Sequence, residues 1–307
     1  MKRFELVGVY ILNLLAMSFW GISFVWIKIV YEFYNPFTIL FFRMVISACI
    51  LFLISSTLMK EKKRLERRHI PMLMALAFCE PFMYFIGESL GLLYISSTVA
   101  SLIVSTIPIF MVFASFIFFK ERIDKRQTTG LALAIIGILA LVFDTSMNLR
   151  YEPKGILLMF LAVISAIGFN ILGTKLVKTY RPITLIKYQN VFGAIYFFPL
   201  FLIYSGKELF TRIPPSNIIL CIFNLSLFSS ALSYLFYLIA IEKIGINKAN
   251  IFTYTIPLFT AIFAYFLIGE EFDITKSFGM IFIVSGIFIS QYKGKFKRIR
   301  FLFRRGS

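Results

Sequence analysis

The sequence predicts an all-α integral membrane protein, with ten transmembrane helices arranged as two inverted five-helix repeats and both termini in the cytoplasm. Three observations predict it. Hydrophobic residues make up 59% of the 307 residues, charged residues only 15%, and mean hydropathy is +0.86; a soluble domain would be about half apolar and a quarter charged. Apolar stretches long enough to cross a hydrocarbon core of ~30 Å recur along the chain. One phrase, TIPIFMVFASFIFFKERI from Thr106 to Ile123, returns as TIPLFTAIFAYFLIGEEF from Thr255 to Phe272.

The apolar stretches fall at about 6–28, 36–58, 71–93, 97–119, 128–144, 155–176, 183–204, 217–240, 247–268 and 275–292. The first follows Met1-Lys2-Arg3 without a small-residue cleavage site, so it reads as a retained helix and not a secretory signal. Breaks between stretches are short and carry turn formers such as Asn35-Pro36, Arg181-Pro182 and Pro214-Pro215. None is long enough to hold a soluble domain.

The cations orient the chain. With the N-terminus inside, 24 of the 32 Lys and Arg fall in inner segments and five in outer loops (Arg150, Lys154, Lys207, Arg212, Lys276). That asymmetry is the positive-inside signal, and it places both termini in the cytoplasm. The basic tail KGKFKRIRFLFRR suits the anionic inner leaflet.

A shift of 149 residues superposes Thr106-Ile107-Pro108 on Thr255-Ile256-Pro257, and Glu121 on Glu270. The same shift carries Gly130 to Gly279 and Gly137 to Gly286, while a shift of 147 carries Gly21 to Gly168 and Lys28 to Lys175. The chain therefore divides into repeats at 1–148 and 149–292, followed by a basic cytoplasmic tail at 293–307. Five is odd, so the second repeat enters the membrane from the opposite side. Inverted repeats of this kind belong to alternating-access carriers, with the substrate site at mid-membrane between them. Pro108 and Pro257 are expected to kink their helices or to open a backbone carbonyl to a cavity. The glycines, seven apart on one face, are expected to let helices approach closely. Glu121 and Glu270, just past helix ends, are expected to anchor turns.

Other classes find little support. A net charge of +17 would suggest nucleic acid only if the cations lined one water-facing surface; here they punctuate apolar runs. Cys49, Cys79 and Cys221 lie inside those runs without paired spacing, so no disulfide framework, zinc site or other cofactor site is expected. His69 sits alone in a basic loop. No nucleophile stands beside a base and no phosphate loop is present, so neither catalysis nor ATP drive within this chain is expected.

The two halves resemble the EamA-type repeat of the drug/metabolite transporter superfamily. The resemblance rests on FWGISFVWIK at 19–28, Pro36, Arg43 and TIPIF…FKERIDKRQTTG…IIGI in the first half. In the second it rests on TIPLF…GEEFDITKSFG…VSGI. It covers about residues 10 to 290 and departs in the sixth stretch, where Ile167-Gly168-Phe169-Asn170 replaces an aromatic-Gly pair. The resemblance implies a ten-helix carrier of small metabolites and leaves the substrate open among amino acids, sugars, nucleotide-sugars, phosphorylated sugars and drugs.

Polar residues inside spans are the candidate site, because lipid makes them costly. Glu80, Tyr84 and Glu88 stand at i, i+4 and i+8 in the third stretch and form one polar stripe, which either lines a cavity or makes structural ion pairs. Arg43 lies at a depth similar to Glu88, so the two are expected to pair, as an outer gate or as helix glue. Gln189 and Asn190 in the seventh stretch serve either as substrate hydrogen-bonders or as interhelical contacts. Asn170, Asn224 and Tyr234 complete the polar set, and Trp20, near mid-span, either walls the cavity or packs the core. The expected partners are a small-molecule substrate, the lipid bilayer, and protons as coupling ion through Glu80 or Glu88; a homodimer is left open. Mixed charge with amides and aromatics favours a zwitterion such as an amino acid, with export as the direction and the cell membrane (the bacterial inner membrane) as the location. The alternative is a lipid-linked, nucleotide-sugar or drug carrier of the same superfamily.

Overall fold

A computed structural model of the chain describes residues 3–57, 65–119, 125–143, 149–205, 213–271 and 273–291. The basic tail, Glu121, and parts of the loops after residues 57, 143 and 205 lie outside these residues. The described chain is helical throughout, without strands. The helices are α1 (Arg3–Tyr31), α2 (Pro36–Thr57), α3 (Ile70–Ala77), α4 (Tyr84–Gly91), α5 (Ser97–Val104), α6 (Ile107–Phe119) and α7 (Lys125–Val142). There follow α8 (Pro153–Leu176), α9 (Pro182–Ser205), α10 (Ser216–Asn224), α11 (Ser233–Ile244), α12 (Ile246–Ile251), α13 (Ile256–Ile268) and α14 (Ile274–Gln291).

Local chemistry sets the ends. Pro36, Pro153 and Pro182 each open a helix, where the first N–H has no intrahelical partner and a fixed φ is already helical. Ser96 caps α5 by accepting from the Val99 amide. Gly269, at φ 65°, closes α13 in the left-handed conformation that glycine adopts without steric cost.

Seven helical stretches among the described residues are long and apolar enough to cross a membrane: Glu5–Tyr31, Pro36–Thr57, Arg67–Gly91, Pro153–Leu176, Pro182–Ser205, Ser216–Ile244 and Lys248–Ile268. Shorter apolar helices cover the other three expected positions, at Ser97–Val112, Thr128–Ala140 and Lys276–Gly286. Burial is sorted as a lipid solvent requires. Leu157, Ile164, Ile195 and Phe266 face outward, while Arg43, Glu80, Glu88, Gln189 and Asn190 are buried.

Three of the spanning stretches and one of the shorter apolar ones are interrupted. A π-helical stretch, Phe78–Met83, joins α3 to α4 and contains Glu80 with extended φ/ψ of −148°/117° and a cis Glu80-Pro81 bond. A second π-helical stretch, Leu225–Leu232, joins α10 to α11; the shift of 147 carries Phe78 to Leu225. In the next stretch of each half, Ser105-Thr106 separates α5 from α6, and a 3₁₀ turn, Phe252–Thr255, separates α12 from α13. Pro108 and Pro257 each take the second position of the helix that restarts. The prolines thus open a second half-helix instead of bending a continuous one, since their missing N–H costs nothing in a first turn.

Two pairs of equivalent helices, α2 with α9 and α7 with α14, pack on each other and run antiparallel. In α2 and α9, Asn35 donates to the Tyr204 carbonyl at one end, and Met44 sits against Gly193 further along. In α7 and α14, Gly137 approaches Gly279 and Ile283, while Gly286 approaches Gly130 and Ala134. A Cβ on Gly286 would come within 2.5 Å of the Gly130 carbonyl, so the backbones meet only because the side chain is absent. α1 packs on α11 and α13, and its counterpart α8 packs on α4, α5 and α6. Antiparallel pairing of equivalent helices is the relation produced by a two-fold axis perpendicular to them. It leaves the interrupted helices of both halves around one central space.

Candidate functional site

The central cavity is lined from one half by Trp20, Phe24, Arg43, Glu80, Tyr84 and Glu88, and from the other by Phe169, Asn170, Tyr234, Tyr237, Asn250 and Thr253. Seven of the ten residues expected on the transport pathway therefore converge here. Gln189, Asn190 and Asn224 do not line it. Gln189 and Asn190 are buried on α9, which packs on α2, and the Asn190 amide donates to its own helix at Ile186.

Arg43 is held on three sides. Its Nε donates to Ser230 Oγ at 2.5 Å, its Nη2 to Ser229 Oγ at 2.6 Å, and its guanidinium lies 4.0 Å from the Phe85 ring centroid. Both serines come from the second π-helical stretch, so the cation of one half is gripped by the other. Glu88 faces it, with Nη1 to Oε2 at 3.9 Å, inside the range of an ion pair and outside that of a hydrogen bond. Tyr84 donates to the other carboxylate oxygen of Glu88 at 3.3 Å.

Glu80 and Tyr234 join the halves a second time, the phenol donating to Glu80 Oε1 at 2.5 Å. The extended φ/ψ of Glu80 releases it from the helical ladder and leaves a carboxylate on loosened backbone beside the cavity. Tyr234 stacks edgewise on Trp20, with centroids 5.1 Å apart, and Trp20 meets Tyr237 in the same way at 5.2 Å.

Below this pair lies a polar knot. The Asn170 amide nitrogen donates to Ala166 O at 2.9 Å, so its oxygen accepts from the Tyr237 hydroxyl at 2.7 Å. Tyr237 also contacts the Asn250 side chain. The partner atom is Asn250 Oδ1, so the single phenol proton stands between two amide oxygens. Ser23, Ser229, Ser230, Tyr237, Asn250 and Thr253 belong to the site and were not expected from the sequence. A signal existed for Tyr237, three residues after Tyr234 on one helix face. Single serines and asparagines in apolar runs gave none.

Glu270 stands away from the cavity. Its carboxylate accepts from the amides of Ser97 and Thr98 at 3.0 and 3.2 Å and pairs with Lys276 at 3.3 Å. It thus caps the N-terminus of α5 in the other half. Burial alone would raise this carboxyl; the hydrogen bonds from Thr98 and Ser96 and the Lys276 charge outweigh it and hold the group below its ordinary value.

An all-helical chain with an apolar exterior, interrupted spanning helices and a polar cavity between two related halves defines a multi-pass membrane transporter. The chain belongs to the EamA-like transporter family, whose pattern matches twice, at residues 7–143 and 153–292. An uncharacterized transporter of Archaeoglobus fulgidus is 30% identical over 91% of this chain and 97% of its own length. The uncharacterized transporter YetK of Bacillus subtilis is 23% identical over 94% of this chain and 88% of its own length. A crystal structure at 11% identity superposes with a TM-score of 0.65 over 98% of this chain and 99% of that one, and so shares the fold.

Proposed function

We propose that the chain is a secondary carrier that moves a small metabolite, an amino acid or related zwitterion, outward across the cytoplasmic membrane by alternating access. In this reading the chain crosses ten times as two inverted five-helix repeats, divided at residues 148/149, with both termini in the cytoplasm. One observation carries it: a buried cavity walled by both halves, holding a cation, two carboxylates and an aromatic lining at the interrupted helices. Interrupted helices at a repeat interface are where carriers place their sites, because irregular backbone within a membrane is tolerated only beside a cavity. The halves touch across it through Arg43 with Ser229 and Ser230, and through Glu80 with Tyr234. These contacts can break and re-form as one half rocks against the other. Glu80 is the proposed proton carrier, since protonation alters its bond to Tyr234 across the interface.

Purified protein reconstituted in liposomes tests the reading. The expected result is saturable counterflow of an amino acid, with accumulation driven by an imposed pH gradient. Unsaturable leak of every solute offered would overturn it.

A further inference from the structure

We propose that Arg43, Trp20 and Glu88 form a receptor for an ammonium and a carboxylate borne on the same carbon, the head group of an α-amino acid. The inference rests on the carrier reading above and goes further by assigning atoms to the substrate. Its basis is which buried polar atoms of the cavity lack a hydrogen bond: Arg43 Nη1, Trp20 Nε1 and Glu88 Oε2.

Neighbours fix each charged group so that one edge is left over. The serines take Nε and Nη2 of Arg43, Phe85 covers the guanidinium face, and Nη1 remains. Tyr84 binds one oxygen of Glu88, and Oε2 remains. The two leftover atoms face each other at 3.9 Å, too far to satisfy one another. Arg43 is 1% exposed and Glu88 3%, so the protein carries the cost of two buried, unsatisfied charged atoms. Residues that only glued helices together would close that gap.

The leftover atoms match one ligand chemistry. A carboxylate has two acceptor oxygens, for which the free donors are Arg43 Nη1 and Trp20 Nε1. An ammonium is a donor only, for which the free acceptor is Glu88 Oε2. Because Nη1 and Oε2 lie 3.9 Å apart, the two charges of the ligand must lie close together, as they do when both are borne on one carbon, and an extended ω-amino acid does not match. The cavity lining also includes apolar and aromatic side chains (Phe24, Phe85, Val104, Ile107), which admit an apolar side chain.

The test uses the full-length purified protein with leucine, its β-amino isomer, the decarboxylated amine, the deaminated acid and glucose. Thermal protection in detergent and counterflow in liposomes are both measured. Leucine should protect and exchange, while loss of either charge or a one-carbon separation should weaken binding by ~100-fold or more, because a buried partner is left unpaired. Trp20→Phe keeps an aromatic ring at the site but removes the N–H together with the pyrrole part of the indole; it should weaken leucine by about tenfold, read against the ligand-free thermal stability of the same variant. Glu88→Gln should abolish discrimination between leucine and its deaminated acid. Equal responses to leucine, the amine and the acid would sink the proposal, as would an unaltered leucine affinity in Trp20→Phe. Saturable counterflow of glucose without any response to leucine would sink it too, while leaving the carrier reading intact. Leucine protection without any counterflow would support the receptor and count against the carrier.

Discussion

Arg43 and Glu88 show how a buried charge is managed inside a membrane fold. Each sits among groups that hold it in place, and they face each other at 3.9 Å in the first half's share of the cavity lining. Removing one partner leaves the other charged and stranded, which costs ~3–5 kcal/mol in buried pairs, whereas removing both costs less than the sum. Arg43→Gln and Glu88→Gln should therefore each lower the detergent melting temperature sharply, and the double variant should recover part of the loss; additive losses would show that the charges do not interact. Glu80→Gln is expected to fold normally, since the amide copies the protonated acid. It should keep substrate exchange but lose accumulation driven by a pH gradient. Gradient-driven accumulation at the unsubstituted level in this variant would remove Glu80 from coupling. The charged members of the site were legible because Arg or Glu in an apolar run is conspicuous. Gln189 and Asn190 gave the same signal yet lie on α9 away from the cavity, because one sequence shows that a group is buried but not which helix it faces. Ser229 and Ser230 gave none, since serine is common in membrane helices and only the fold brings it to Arg43.

At the scale of elements, helix ends and crossings carry the tests. Glu270 reaches from the loop after α13 to cap α5. Its folded carboxyl lies below its ordinary value, so it stabilises the fold above the unfolded value of about 4.3. That contribution is lost as pH falls through the lower folded value. Glu270→Gln should be less stable at neutral pH by about 1 kcal/mol, the usual worth of a cap, and should show a shallower loss between neutral pH and about pH 3. Identical acid limbs in melting curves of the two proteins would count against the cap. Gly286 tests the crossing of α7 and α14: Gly286→Ala places a methyl against the Gly130 carbonyl and should cost ~1–3 kcal/mol as overpacking, seen as a lowered melting temperature. The break at Glu80-Pro81 could be read from the sequence, because proline removes a helical donor. Its counterpart at Leu225–Leu232 could not, since LSLFSSAL holds neither proline nor glycine. The repeated TIP motif announced an interruption at the right place, but the form it takes, a helix restarting at the proline, needed the fold.

For the whole molecule, the repeat and the charge distribution are two independent readings of the same topology. The shift of 149 residues uses glycines and prolines, which are uncharged, and the antiparallel contacts of α2 with α9 and α7 with α14 agree with it. The orientation relative to the membrane uses only Lys and Arg, 24 of them on one predicted side and five on the other. The repeat was legible because matched Pro and Gly residues have backbone duties that neutral substitution does not preserve. The orientation of the insertion is carried by Lys and Arg, whose distribution is independent of the prolines and glycines that mark the repeat. Single cysteines in a variant lacking Cys49, Cys79 and Cys221 test the two readings together. Arg68→Cys and Glu242→Cys should react with an impermeant maleimide only after the cells are opened, whereas Arg150→Cys and Ile213→Cys should react in intact cells. All four positions are exposed, so failure to label has no steric excuse. Labelling of all four from the opposite side would invert the orientation and leave the repeat standing. Labelling of Arg68→Cys and Arg150→Cys from the same side would mean an even number of crossings between them. The first half would then no longer span the membrane an odd number of times from its start, and the inverted relation, with the alternating-access reading built on it, would fall.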